Sequence, residues 1–199
     1  FEAQRQEFWH ATLRPGDAGA STGILPFMRR CLGKAPHHLA RRRIRVRADA
    51  GFFGHRLVEF LDQRGCAYVI VAREHKTIRR KAYAARFRRL RLGWDVGEFR
   101  YRPTHWQRTH RFVVVRRPLP EDPAESKQLT LFKDRRYAYS VLVTNLPMSA
   151  WRIWRFYCPR ATVEKNIREL LYDLPLGNSV GCHRGSHHPY PGGRKGGRG

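Results

Sequence analysis

Three features of the sequence predict an α/β fold. A strand–helix–strand unit fills about 30 residues ending at Ala72. Alternating apolar and polar positions take over after Gly93. Helical spacing then returns after Pro147.

Taken in order, "WHATLRPGDAGASTG" is loop-like around Pro15-Gly16-Asp17 and Gly19. "TGILPFMRRCLGKAP" predicts a short helix with Ile24, Leu25, Phe27, Met28 and Leu32 apolar, stopped by Gly33 and Pro36. "RRRIRVRAD" is a β-branched run closing on Asp49, and "GFFG" is a turn. "HRLVEFLDQRG" predicts an amphipathic helix burying Leu57, Val58, Phe60 and Leu61, with Gly65 as its stop. "CAYVIVAR" is apolar at both parities, as in a strand covered on both faces. "REHKTIRRKAYAARFRRLR", residues 73–91, has nine basic residues and one acid, and Tyr83 and Phe87 are four apart. It reads as one basic helix, either a solvated face or a polyanion-binding one. "WDVGEFRYR", "HRFVVVRR", "QLTLF" and "YAYSVLVTN" follow as strands of a small antiparallel subdomain. "SAWRIWRFYC" predicts a helix with Ser149 as N-cap, continued by "RATVEKNIRELLYDL". The stretch "GNSVGCHRGSHHPYPGGRKGGRG" has too few apolar residues for a core and reads as a disordered tail. Cys182, His183, His187 and His188 in that tail fit no standard metal spacing.

The charge balance narrows the function classes. The 199 residues carry 40 Lys+Arg against 16 Asp+Glu, a formal net charge of +24. Such a field favours polyanions, with nucleic acid ahead of acidic membrane. Arginine outnumbers lysine 33 to 7, which suits bidentate phosphate contact and equally fits a GC-rich coding sequence. No run approaches the roughly 18 apolar residues of a membrane span. The four cysteines form no C-x-x-C pair, which speaks against a zinc ribbon and fits a reducing cytoplasm.

Acids are scarce, so their positions carry information. Asp49 closes a strand just before Gly51, where α/β sheets present site residues; capping of the following turn is the alternative. Arg160, Glu164 and Arg168 stand at four-residue steps and share a helix face, as a site carboxylate held by arginines or as ordinary surface pairs. Phosphodiester chemistry supplies a reason for the two acids to belong together. Two Mg²⁺ held about 4 Å apart by carboxylates from different elements can activate a nucleophile and steady a leaving oxygen.

Four blocks, in order, resemble the DDE transposases of bacterial insertion sequences, in the branch called DDE domain group 1. They are "HATLRPGDAGASTGILPFMRRCL", "RVRADAGFFGHRLVEFLDQRGCAYVIVAR", "RRYAYSVLVTNLP" and "WRIWRFYCPRATVEKNIREL". The second resembles the family's second-aspartate block, and the last its Tyr-x2-Arg-x3-Glu signature. The resemblance implies a ribonuclease H-like core interrupted by a β-strand-rich insertion, incomplete at the N-terminus and at the C-terminus. It sets residues 1–92 as the first part of the core, 93–146 as the insertion, 147–175 as the helices carrying the glutamate and 176–199 as the basic tail. It implies Mg²⁺-dependent cleavage and joining of DNA at element ends. Asp49 and Glu164 would be catalytic metal ligands, and Tyr157, Arg160 and Arg168 would lie at DNA. In the basic segment, Arg79, Arg80, Lys81, Arg86, Arg88 and Arg89 would add DNA contacts. DNA is the expected partner, without a membrane; a homodimer in the DNA complex and a nucleoid-associated cytoplasmic location are compatible with it.

Three departures qualify the resemblance. The family's first catalytic aspartate has no counterpart here, since Asp17 is in the wrong block, so cleavage by this chain alone is not expected. Leu171 stands where the signature has lysine. The tail replaces further apolar helices. A non-catalytic basic DNA-binding protein, or a regulatory remnant of a transposase, is the alternative function.

Overall fold

The computed structural model describes residues 9–12, 19, 21–36, 39–40, 43–90, 93–119, 132–133 and 137–158, all within one compact unit, Phe1–Ala161. Within it the elements run α1 (Ile24–Gly33), β1 (Arg45–Ala48), a 3₁₀ turn (Ala50–Phe52), α2 (His55–Gln63), β2 (Ala67–Val71) and α3 (Lys76–Tyr83). Then come β3 (Phe87–Arg89), β4 (Asp95–Tyr101), β5 (His110–Pro118), β6 (Phe132–Lys133), β7 (Tyr137–Thr144) and α4 (Ala150–Tyr157).

Local chemistry accounts for the helices. In α2, Leu57, Val58, Phe60 and Leu61 recur at helical spacing and are the residues buried. Its end is set by Gly65 at φ 64. That left-handed conformation lets the Cys66 amide donate to the Leu61 carbonyl at 2.9 Å and the Gly65 amide to the Asp62 carbonyl at 3.0 Å, which satisfies carbonyls the helix leaves open. The His75 ring accepts a hydrogen bond from the Thr77 amide and so caps α3. Ser149 occupies the N-cap position of α4, without a side-chain capping bond.

The strands form one seven-stranded mixed sheet in the order β1-β2-β7-β5-β4-β3, with β6 pairing β7. β1 and β2 are parallel, as a helix crossover requires, and the other pairings are antiparallel. The strands within 93–146 are antiparallel among themselves as expected. They share a sheet with β1 and β2, because β7 pairs with β2 through Val69↔Thr144, Ile70↔Val143 and Val71↔Leu142. Phe132 and Lys133 are the described end of the "QLTLF" region.

Residues 73–91 depart from the expected single helix. The helix ends at Tyr83, and Phe87–Arg89 pairs with β4 as a strand. The four-residue spacing of Tyr83 and Phe87 is therefore not a helical face, and the non-local pairing with β4 overrides it. Gly97 makes that pairing close: a Cβ there would lie 3.0 Å from the Arg86 carbonyl oxygen and 3.2 Å from Ala85 Cβ.

Strand alternation divides the interior into two cores. Tyr68, Ile70, Phe112, Val114, Tyr139, Val141 and Val143 face α1, α2 and α3. Val69, Val71, Val113, Val115 and Leu142 face α4, which contributes Ile153, Trp154 and Tyr157. On edge strand β1, Val46 and Ala48 belong to the first core, so Arg45 and Arg47 point to the α4 side.

Candidate functional site

Asp49 lies at the carboxyl end of β1, where the parallel strands β1 and β2 stop side by side. Its Oδ1 accepts a hydrogen bond from the Gly51 amide at 3.0 Å, so the carboxylate also caps the 3₁₀ turn. Placement at the strand end and the capping role thus coexist. Arg73, just past β2, donates from Nη2 to the Gly51 carbonyl at 3.4 Å and brings a second strand end to the same turn. On the helix side the turn is backed by aromatic packing, with Phe53 and Trp106 ring centroids 5.4 Å apart.

The α4 side approaches the same strand through arginine. Arg47 is partly buried and donates from Nη1 to the Phe156 carbonyl at 3.1 Å. Its guanidinium also lies 5.3 Å from the Phe156 ring centroid, with Arg45 at 5.9 Å. Burial pushes the Arg47 pKa down from its ordinary value, while the Tyr157 phenol acts the other way. A guanidinium nevertheless remains charged. Tyr157, expected at DNA, is 2% exposed and stacks on Trp154 in the α4-side core, so in this form it serves packing. Arg160, Glu164 and Arg168 lie outside the described residues.

The basic segment is divided between elements. Arg79 and Arg80 are exposed on α3, Arg79 pairing with Glu74 at 3.2 Å. Such a surface pair contributes about 0–1 kcal/mol and leaves the arginine open to other partners. Lys81 sits 5.3 Å from the Tyr101 ring centroid. Arg86 and Arg88 are exposed around β3 and line a cleft with Gly97, Glu98, Ser149 and Ala150. Arg89 is exposed and lines another with Phe87, Asp95, Arg116 and Tyr137. The positive charge expected on one helix face is therefore distributed over a helix and both faces of an edge strand.

One buried polar network stands apart from Asp49. The Tyr68 hydroxyl lies 3.0 Å from His110 Nδ1, and the Asp62 carboxylate is 3.8 Å from the same nitrogen. Burial pushes the His110 pKa down, against the opposing pull of Asp62 and Glu59, with Arg108 adding to the lowering. Asn145 ties this network to the sheet, donating to Asp62 and to the Cys66 carbonyl, each at 3.0 Å.

The model of the family described as transposase DDE domain group 1 matches residues 1–187. The chain belongs to that family. No curated protein matches the chain. Membership supports a transposase of an insertion sequence, with DNA as the material acted on, and a mixed α/β sheet consistent with a ribonuclease H-like DDE domain. No helix among the described residues is long and apolar enough to cross a membrane.

The family generally uses a divalent metal, and Asp49 has the chemistry for one, a hard carboxylate oxygen at a strand end. Among the described residues no group of three or more His, Cys, Asp or Glu could hold such an ion. Arg47 and Arg73 escaped the sequence reading as site residues. The usable signal was the alternation Arg45-Val46-Arg47-Ala48, which puts two arginines on a face where other strands supply valine and leucine.

Proposed function

We propose that the chain acts in DNA strand cleavage and transfer at insertion-sequence ends, with Asp49 and Glu164 as carboxylates that share divalent metal. The observation that carries this is Asp49 itself, fixed by the Gly51 amide at the end of a parallel strand in an acid-poor chain. Bound there, Mg²⁺ would supply nucleophile activation and charge neutralisation at phosphate. The protein's part is to fix the Asp49 carboxylate on a rigid turn and to hold the DNA backbone with exposed arginines of α3 and β3. Arg160 and Arg168 would flank Glu164 and meet phosphate. Residues 93–146 serve in this reading as the insertion between the two acid-bearing blocks. Of the three acids that the resemblance assigns, these 199 residues supply two, so weak metal binding without cleavage is the expected behaviour of this chain.

A second reading, non-catalytic DNA binding, is favoured by the number of exposed arginines away from Asp49, namely Arg79, Arg80, Arg86, Arg88 and Arg89. Binding to an element-end duplex, measured across salt with and without Mn²⁺, separates the two. The first reading expects Mn²⁺ to tighten binding in the wild type and not in Asp49→Ala. Affinity that falls with salt but ignores both Mn²⁺ and Asp49 would establish the second.

A further inference from the structure

The hairpin of β4 and β5 is closed by more chain than its geometry needs. Tyr101 pairs with His110, so the turn is residues 102–109. Hairpins are usually closed by about 2–5 residues. The long turn is nevertheless pinned. Trp106 is 8% exposed, and its ring centroid lies 5.4 Å from that of Phe53, ahead of α2, and 4.8 Å from that of His110. The Trp106 amide donates to the Pro103 carbonyl at 3.1 Å. The Gln107 amide donates to Glu59 Oε1, on α2, at 3.2 Å. His105 sits at φ 70, a left-handed conformation that costs about 1 kcal/mol or more and persists only where the surroundings impose it. Loops fixed on a rigid scaffold are where binding side chains are commonly presented.

This end of the hairpin carries charge of one sign. Residues 102–109 contain Arg102 and Arg108 and no acid, and both arginines are exposed. Arg100, also exposed, stands directly across from Arg111, a like-charge pairing that weakens a ladder. Glu98 neutralises Arg111, at 2.7 Å, and not Arg100. Among the described residues Arg100, Arg102 and Arg108 enter no ion pair. Three cations gathered in this way repel one another, and a polyanion relieves that repulsion. We propose that this end of the hairpin is a preformed contact for the phosphate backbone of duplex DNA, made by Arg100, Arg102 and Arg108. The inference rests on the reading of DNA as the material acted on. Pinning matters because a turn already held in place has less freedom to lose on binding.

The sheet sets this contact apart from Asp49. Arg47, Val69, Thr144 and Arg111 form one cross-strand row. β5 runs in the direction of β1, since two antiparallel pairings intervene. Asp49 follows Arg47 and the turn precedes Arg111, so they lie beyond opposite sides of the row. At about 3.3 Å per residue and about 4.8 Å per strand, the separation is roughly 20 Å. That is about six base pairs of duplex. The arginines would therefore hold the duplex that flanks a phosphate at Asp49, not that phosphate itself.

Binding of the full chain to a duplex of arbitrary sequence, long enough to span both places, tests this across a salt series. The slope of log affinity against log salt should fall by about one in each of Arg100→Gln, Arg102→Gln and Arg108→Gln. Arg30→Gln removes the same charge from the exposed side of α1 and should alter the slope less. Glu59→Gln keeps an acceptor for the Gln107 amide and Glu59→Ala does not, although both lose the same charge. The alanine variant should bind several-fold more weakly than the glutamine one. Unchanged slopes in the hairpin variants, or an equal loss in Arg30→Gln, would overturn the contact. Losses that vanish in an Asp49→Ala background would contradict a contact separate from that carboxylate. Equal affinity of the two Glu59 variants would overturn its being preformed. Wild-type protein that fails to bind duplex even at low salt would refute DNA as the partner, and the contact with it.

Discussion

The two faces of the sheet are built differently. One is covered by α1, α2 and α3 and buries Tyr68, Phe112 and Tyr139 among aliphatic residues, with the Asp62–Tyr68–His110 network in its midst. The other is covered, among the described residues, by α4 alone. Arginine braces both ends of that helix's region. Arg111 donates to the Leu146 and Met148 carbonyls, each at 2.8 Å, ahead of α4, and Arg47 donates to the Phe156 carbonyl at its end. Where three helices share a face, apolar packing does most of the holding, and α2 is tied further by bonds to Asp62 from Asn145 and to Glu59 from the Gln107 amide. Where one short helix must be held in a defined place, directional bonds from strand arginines do so. The candidate site is on the second kind of face.

The largest expected effect comes from stripping the α4 face. Trp154 is 6% exposed and contacts the rings of Trp94 and Tyr157. Trp154→Ala should cost about 3–5 kcal/mol of unfolding free energy in urea titrations. Added exchange should concentrate in α4. If α2 lost protection equally, the two faces would be one cooperative unit and the comparison would fail.

Next, Gly97→Val should cost about 1–3 kcal/mol, because its Cβ would press on the Arg86 carbonyl and separate β3 from β4. Urea midpoints measure this, and a neutral result would contradict the close pairing. Arg111→Ala leaves two carbonyls and Glu98 without their guanidinium, and should cost about 1–3 kcal/mol with faster exchange in the first turn of α4. Unchanged exchange there would contradict the bracing of α4 by Arg111.

The smallest effect is on pH dependence, and it belongs to the other face. The folded-state pKa of His110 lies below its ordinary value of 6.5, chiefly through burial. Around and below that pH the unfolded chain binds the proton more readily, so stability rises with pH through this window and is lost as pH falls. Urea midpoints at pH 7 and pH 5 should therefore differ less in His110→Gln than in the wild type. An unchanged pH response in the variant would place the sensitivity elsewhere.

Much of this organisation was legible where the signals are local. The helical spacing of Leu57, Val58, Phe60 and Leu61, with Gly65 behind them, gave α2 and its end, and the β-branched run before Asp49 gave β1. The placement of Asp49 at a strand end was legible because the β-branched run stops there, and so was its capping of the following turn. The basic segment was misread because the pairing of Phe87–Arg89 with β4 depends on residues beyond the segment, and on Gly97 being small enough to admit it. Tyr157 was assigned to DNA from the signature alone, and burial against Trp154 cannot be seen in a signature. Arg47 was missed for the same reason: its partner is 109 positions away, and only the sheet brings them together.

In the proposed function Asp49 and Glu164 would serve one divalent ion. A double-mutant cycle on Mn²⁺ affinity, with Asp49→Ala, Glu164→Ala and the pair, tests it most directly. Wild-type binding should be weak, with a dissociation constant on the order of a millimolar, as for carboxylate sites with few charged ligands. Each single variant should lose nearly as much affinity as the double. Independent, additive losses, or Mn²⁺ binding that ignores both acids, would contradict the account.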